Sequence, residues 1–297
     1  MLRIILKRGF TLTHRRRNEA LLSDVSIVSS LLSKPPSDDS KGLIRLAKLM
    51  AQKGLCSRRE AEEYIQAGDV VVNGERVQAK WLKVPTNTDV RLDFQAQRHQ
   101  NNKITLVLNK PLGYVSSQPE LNKTPAVRLL TFANECHELS RMKPKQRVEP
   151  VALWKMAVCG RLDVNSTGLL LFTQDGTIAK QLLDPTSGVE KEYLVRLSVM
   201  LDPLTDELRR KIEMLQAGVT SDEGITYRAK SVEALNANQL RLVLTEGKKR
   251  HIRRMCEHVG LRVVALKRVR IGGVKLGSLP VGQWRYLQPK DRLLSLD

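Results

Sequence analysis

The stretch GRLDVNSTGLLLFTQDG, Gly160 to Gly176, sets an acid in a short polar loop just ahead of an apolar run that reads as a buried strand. Asp163 in that loop can be a metal ligand, a turn former or a catalyst. Asp163, Asn165, Thr167, Gly168 and Gln174 fall on a calcium-loop spacing, but the last ligand position holds Gln174 instead of a bidentate Glu. Leu169-Leu170-Leu171-Phe172 also reads as core strand, not as chelating loop, so the metal reading is set aside. The turn-former reading is sound by itself, because Asp readily accepts from backbone amides in loops. Other parts of the chain favour the catalyst.

Downstream, Val189 to Leu197 alternates with period two, which puts Tyr193, Val195 and Leu197 on one face of a strand. Only 4% of the chain is aromatic, and a ring placed there can be core or can stack on a base. A strand over Leu240–Leu244 leads to KKRHIRRMCEHVG, where Ile252, Met255, Cys256 and Val259 form one helical stripe and Gly260 follows as a C-cap. Arg253 lies at the edge of that stripe, from which it can reach inward to a carboxylate. From Arg241 to Arg270 there are ten Lys/Arg and two acids, the composition of an RNA-facing surface.

Upstream, Leu43, Leu46, Ala47 and Met50 give a short helix closed by Gly54. Ser57-Arg58-Arg59-Glu60 matches a capping box for a second helix that buries Ala61, Tyr64 and Ile65 and ends at Gly68. Val70-Val71-Val72 and Asn73-Gly74 then open a hairpin. Arg58 and Arg59 stand in a first helical turn, where cations are disfavoured, so a phosphate at that N-terminus is the expected compensation, with Arg45, Lys48 and Lys53 extending the patch. A polar stretch from Gln95 to Lys103 separates this unit from a strand over Ile104–Leu108, stopped by Asn109-Lys110-Pro111-Leu112-Gly113. The segment from Glu120 to Ala157 reads as an insertion or mobile loop.

The chain of 297 residues carries 50 Lys+Arg against 31 Asp+Glu, a net charge of +19 that draws polyanions through counterion release. Nucleic acid is the expected partner. No apolar run approaches 18 residues, so no membrane span is expected. The four cysteines stand apart with no C-x-x-C, which suggests neither a disulfide framework nor a zinc site. Residues 1 to 18 hold six Lys/Arg and no acid, matching an organellar presequence or a basic tail on a bacterial protein. The location is accordingly a bacterial-type cytoplasm, or a mitochondrion or plastid if the first 40 residues are a presequence. No P-loop or Gly-rich nucleotide fingerprint is found, which argues against an ATP-dependent synthetase.

RLAKLMAQKGLCSRREAEEYIQAGDVVVNGERV resembles an S4 RNA-binding module. Beyond it, NKPLGYVSS, GRLDVNSTGLLLFTQDG, KEYLVRL, EGKKRHIRRMCEHVG and ALKRVRIGGVKLGSLPVGQW resemble, in order, one group of bacterial-type ribosomal RNA pseudouridine synthases. Its members are the A-type synthase of small-subunit RNA and the B-, E- and F-type synthases of large-subunit RNA. The resemblance implies an α+β protein: an S4 module over 42–95 and, over 103–297, a catalytic domain with a mixed, largely antiparallel sheet and flanking helices; the basic tail or presequence plus linker over 1–41 departs from the family pattern. It implies Asp163 as catalytic carboxylate, Tyr193 as the ring against the target base, Arg253 as the ion-pair partner of Asp163, and Arg161 as the residue entering the RNA as the uridine leaves the stack. Arg45, Lys48, Arg58, Arg59, Lys110, Lys249, Arg250 and Arg254 are the further cations assigned to RNA. The implied reaction turns a specific uridine of large-subunit ribosomal RNA into pseudouridine, with no cofactor or metal and with the protein as a monomer. The RNA can be free, in a pre-ribosomal particle, or a tRNA. The rival from another class is a non-catalytic S4-type assembly factor, which would have lost Asp163, Tyr193 or Arg253; all three are present.

Overall fold

The computed structural model describes residues 42–117, 122–140, 156–198, 200, 206–288 and 291. The basic stretch before residue 42 lies outside them. A short strand β1 (Leu43–Arg45) leads into α1 (Leu46–Gln52), whose Leu46, Ala47, Leu49 and Met50 are buried. Leu43, expected on the helical stripe, is 42% exposed and precedes the helix, because the chain before Leu46 is extended. α2 (Arg58–Ala67) carries the expected capping box, with Ser57 N–H donating to Glu60 at 2.9 Å and Glu60 N–H donating to the Ser57 hydroxyl at 3.4 Å. Gly68 ends it in the left-handed conformation, φ 81°.

The hairpin β2 (Val70–Val72) and β3 (Glu75–Val77) turns through Asn73 and Gly74, both at positive φ, as a two-residue turn of the primed type requires. After β4 (Lys83–Pro85), β5 (Val90–Leu92) pairs with β2 to complete a three-stranded sheet. The two helices and this sheet enclose one core of Leu46, Met50, Cys56, Ile65, Val70 and Val90. The polar stretch Gln95–Lys103 proves to be helical: α3 (Phe94–Asn101) is capped by the Asp93 side chain accepting from Ala96 N–H at 2.9 Å. Only Ala96 of this helix is buried, so it has no apolar stripe to betray it in the sequence.

β6 (Thr105–Lys110) opens the second domain as a strand buried along its whole length. Residues 122–140, part of the expected mobile insertion, instead form short 3-10 turns at Ala126–Leu129 and Phe132–Asn134. Ala126 and Leu130 there pack against Trp284, which donates its indole N–H to the Thr131 carbonyl at 2.8 Å. The rest of that insertion, 118–121 and 141–155, lies outside the described residues. The chain continues through β7 (Ala157–Cys159), β8 (Thr167–Thr173), α4 (Gly176–Leu183), β9 (Lys191–Leu197), α5 (Asp206–Ala217), β10 (Val219–Thr220), β11 (Thr226–Tyr227), β12 (Ser231–Asn236), β13 (Gln239–Leu244), α6 (His251–His258), β14 (Val263–Ile271), β15 (Val274–Lys275) and β16 (Trp284–Tyr286).

Among the described residues a nine-stranded sheet runs β12-β13-β9-β14-β8-β6-β16, with β15 and β7 attached to β14 and β8. Of these pairings only β14 with β8 is parallel, so the sheet is mixed and largely antiparallel. One side of its β9–β13 half buries Tyr193, Val195, Leu242, Ile252, Met255 and Cys256, so the stripe of α6 seals it. The two parts of the chain meet at the start of α2. Lys103, nearly buried, pairs with Glu60, and a Cβ on Gly176 would collide with Ser57.

Candidate active site

Register brings the site together. Lys110 of β6 is paired with Gly168 of β8, Gly168 with Arg268 of β14, and Arg268 with Tyr193 of β9. Residues directly opposed across a sheet project to one face, so Lys110, Arg268 and Tyr193 stand in one row, with a gap where Gly168 has no side chain. Gly168 has φ +102°, and a Cβ there would run into the Arg268 backbone. Glycine therefore lets β8 and β14 approach closely enough for the row to form.

The loop bearing Asp163 enters β8 at the end of this row. Its carbonyls are occupied one after another. Arg161 O accepts from Arg268 Nη1 at 3.3 Å and Leu162 O from the Ser116 hydroxyl at 2.6 Å, while Ser116 in turn accepts from Leu162 N–H at 2.8 Å. Asp163 O accepts from Ser166 N–H at 3.0 Å and closes the turn. Val164 O accepts from Gly113 N–H at 3.1 Å, and Asn165 O from Arg253 Nη2 at 2.8 Å. Five consecutive carbonyls are thus held from the loop after β6, from β14, from α6 and from the turn itself. The loop is held on several sides while its carboxylate has no hydrogen bond or ion pair among the described residues, the pre-positioning that a reacting group needs.

Two cations, Lys110 and Arg253, feel the charge of that carboxylate, and a third, Arg268, stands in the same row as Lys110 and holds the loop at Arg161 O. Lys110 is fully buried, and its ammonium donates to the carbonyls of Pro111 at 2.8 Å and Tyr114 at 2.9 Å. Burial pushes its pKa down to about 8; the charge of Asp163 opposes this shift and that of Arg268 adds to it. Arg268, 1% exposed, donates from Nε to Leu169 O at 2.8 Å, and its Nη1 lies 3.5 Å from the Tyr193 hydroxyl. Its Nη2 is buried without a partner. Arg253 has its pKa lowered by burial and by Arg250, against the pull of Asp163.

Three site expectations change. The expected ion pair of Arg253 with Asp163 is absent: Nη2 donates to Asn165 O and Nη1 to Val263 O at 3.0 Å, while Nε is buried without a partner among the described residues, so the guanidinium holds the loop and not the acid. Lys110, expected on the RNA-facing surface, cannot reach it, because its side chain closes under the turn that follows β6. The phosphate expected at the N-terminus of α2 is likewise displaced. Glu60 and Ser57 satisfy that end, and Gly176 packs against it. Burial would raise the Glu60 pKa, but hydrogen bonds from Lys103 and Ser57 hold it below the usual carboxylate value.

Arg45, Lys48, Arg59, Arg161, Lys249 and Arg250 are all exposed, and so is Arg58, which lies 3.9 Å from Glu62. Arg254 is partly enclosed and donates to the Tyr227 hydroxyl at 2.8 Å and to Glu223 at 3.3 Å. Arg250, Arg253 and Arg262 line a cavity of about 420 Å³ beside the loop. Tyr193 is 7% exposed and belongs to the same hydrophobic core as Leu162, the residue before Asp163. The four cysteines are free and buried; burial pushes the thiols of Cys56, Cys159 and Cys256 up to about 12, so none of these three is a nucleophile.

Arg268 and Ser116 escaped the sequence reading. In LKRVRI, Arg268 is one of three cations, and nothing local separates it from the exposed Lys267. The signal that could have found it is its place opposite Tyr193, which needs the sheet register.

A family model described as RNA pseudouridylate synthase matches residues 104–258, and an S4 domain model matches residues 44–84. The chain is 34% identical over 254 residues to the dual-specificity RNA pseudouridine synthase RluF of Escherichia coli strain K12, covering 85% of this chain and 78% of that one. An uncharacterized RNA pseudouridine synthase of Aquifex aeolicus strain VF5 is 34% identical over 249 residues, 84% of this chain and 94% of its own. A crystal structure of a pseudouridylate synthase superimposes with a TM-score of 0.53 at 25% identity, over 82% of this chain and 96% of that one. With an S4 domain ahead of an enzyme domain whose sheet row frames one uncommitted carboxylate, the chain belongs to the RNA pseudouridine synthase family.

Proposed function

We propose that the protein isomerises a specific uridine of large-subunit ribosomal RNA, with Asp163 as the catalytic carboxylate acting on a base turned out of the RNA stack. The observation that carries this is the Asp163 carboxylate, without a hydrogen bond or ion pair among the described residues, at the centre of a loop whose five carbonyls are held from outside and within. The reaction breaks the bond from C1′ to N1 and forms one from C1′ to C5; C5 loses a proton to solvent and N1 gains one. Asp163 either attacks C1′ or takes a sugar proton, and both roles need an anion already positioned. Lys110 and Arg268 supply positive charge from beneath, where it costs no reorganisation during the reaction.

In this reading Tyr193 offers a ring to the extruded base, and Arg161, exposed two residues before Asp163, occupies the stack that the base leaves. Extrusion costs a few kcal/mol, which the exposed cations and the ring offset. No electron or phosphoryl group is transferred, so the chemistry itself calls for neither redox cofactor nor nucleotide. The RluF relative is named for RNA and for dual specificity, which supports an RNA substrate and keeps a second RNA within reach of the same site.

The test is tritium release from ribosomal RNA transcripts labelled at uridine C5, with the full chain and with Asp163→Asn. Release by the full chain that disappears in the variant is the expected result. Equal release by both would remove Asp163 from the mechanism, and no release from large-subunit RNA alongside release from tRNA would reassign the substrate.

A further inference from the structure

We propose that Trp81 is a stacking platform for an unpaired nucleobase, rimmed by Arg45, Lys80 and Lys83, so that the S4 domain grips a single-stranded element of the RNA as well as its phosphates. The inference rests on the RNA-substrate reading above. Trp81 is 65% exposed, whereas Trp284 is fully buried. An aromatic side chain can bury about 150–250 Å², so an indole left in water forgoes one of the larger burial gains open to the domain.

The exposure does not come from a loose loop. Leu82 N–H donates to Ala79 O at 3.1 Å and closes the turn that carries Trp81, while Leu82 O accepts from Leu46 N–H at 2.8 Å. Leu82 packs against the domain core, and Val84, two residues on, is buried within it. The ring is therefore presented outward by a turn pinned on both sides. The Leu46–Leu82 bond also sets Arg45, the residue before Leu46, beside Lys83.

Charge selects the occupant. Arg45, Lys80 and Lys83 are exposed and form no ion pair among the described residues, and residues 76–88 contain three cations and no acid. A protein partner would have to supply both an apolar pocket for the indole and carboxylates for the rim. A polynucleotide supplies both, a base for the indole face and phosphates for the rim. Phe94, 76% exposed, makes the contrast: it follows Asp93, an acid paired with Arg76, whereas no acid stands within residues 76–88 around Trp81.

The experiment uses the full chain, Trp81→Ala and Trp81→Phe against two RNA probes of equal charge, a hairpin with an unpaired loop and a fully paired duplex. Binding is followed by anisotropy, and the emission of Trp81 is isolated as the difference between the full chain and Trp81→Ala. The expected result is quenching of that emission by the hairpin and little by the duplex, with hairpin affinity reduced about 10-fold in Trp81→Ala and kept in Trp81→Phe. At saturating RNA, kcat for pseudouridine formation stays unchanged while KM rises by the same factor. Because the ring is exposed, thermal melting of Trp81→Ala should match the parent. Unchanged hairpin affinity in Trp81→Ala, or equal quenching by duplex and hairpin, overturns the platform and leaves the enzyme reading standing. Failure of the full chain to bind either RNA overturns both.

Discussion

Lys110 and Arg268 in the catalytic domain are buried, whereas Arg58, Arg59, Lys80 and Lys83 in the S4 domain face water. All carry the same charge. The buried pair lost its hydration on folding, and its donors are met almost entirely by backbone carbonyls, those of Pro111, Tyr114, Leu169 and Arg161, without a paired carboxylate. Such charges are costly to keep and are fixed in direction, so they shape the space around Asp163. The exposed set is cheap, mobile and screened over about 8–10 Å, which suits a polyanion whose backbone need only come near. Burial thus turns a cation from a binding group into a positioning group.

Four substitutions probe that division, in decreasing order of expected effect. Asp163→Asn keeps the loop and removes the charge that Lys110 and Arg253 feel; kcat should fall by at least about 10²–10⁴-fold with RNA affinity retained, read by tritium release and anisotropy on the same preparation. Arg268→Lys keeps a buried cation but cannot span Leu169 O and Arg161 O together. The loop should shift, and kcat should drop about 100-fold while binding of RNA holds. An unchanged kcat would mean that charge alone matters at position 268.

Lys110 tests the cost of burial through pH. Its pKa is about 8 in the folded protein against an ordinary 10.5, so between those values the unfolded chain binds more protons and stability rises with pH. In Lys110→Met this contribution is missing. The stability difference between variant and parent, from urea midpoints, should therefore shift in favour of the parent by about 2 kcal/mol from pH 7 to pH 9.5. A constant difference would show that the ammonium titrates normally.

Arg58→Ala combined with Arg59→Ala should do least. Since Glu60, Ser57 and Gly176 already occupy the end of α2, the proposed role of these exposed arginines is phosphate contact beyond that end, and their loss should then reduce the salt slope of RNA binding by about 1–2 without altering kcat. A slope that does not move would take them out of the interface.

Much of this protein is written locally. The capping box of α2, the Asn73–Gly74 turn, the strand behind Asp163, the alternation through Tyr193 and the stripe of α6 each depend on contacts within a few residues, and each appears where the pattern places it. α3 escaped because a helix that buries only Ala96 leaves no periodic trace. Residues 122–140 read as loop because their packing partner, Trp284, is remote in the chain, its bond to Thr131 spanning 153 residues.

The site divides along the same line. Asp163 and Tyr193 stand in motifs whose residue types suit the chemistry, so the chain itself names them. That Lys110 turns inward, that Arg253 holds a carbonyl instead of the acid, and that Arg268 belongs to the site at all were decided by tertiary structure. Positions 110, 168, 193 and 268 become neighbours only through the register of four strands, and whether a lysine or arginine meets water or a carbonyl depends on that register and not on the residues beside it.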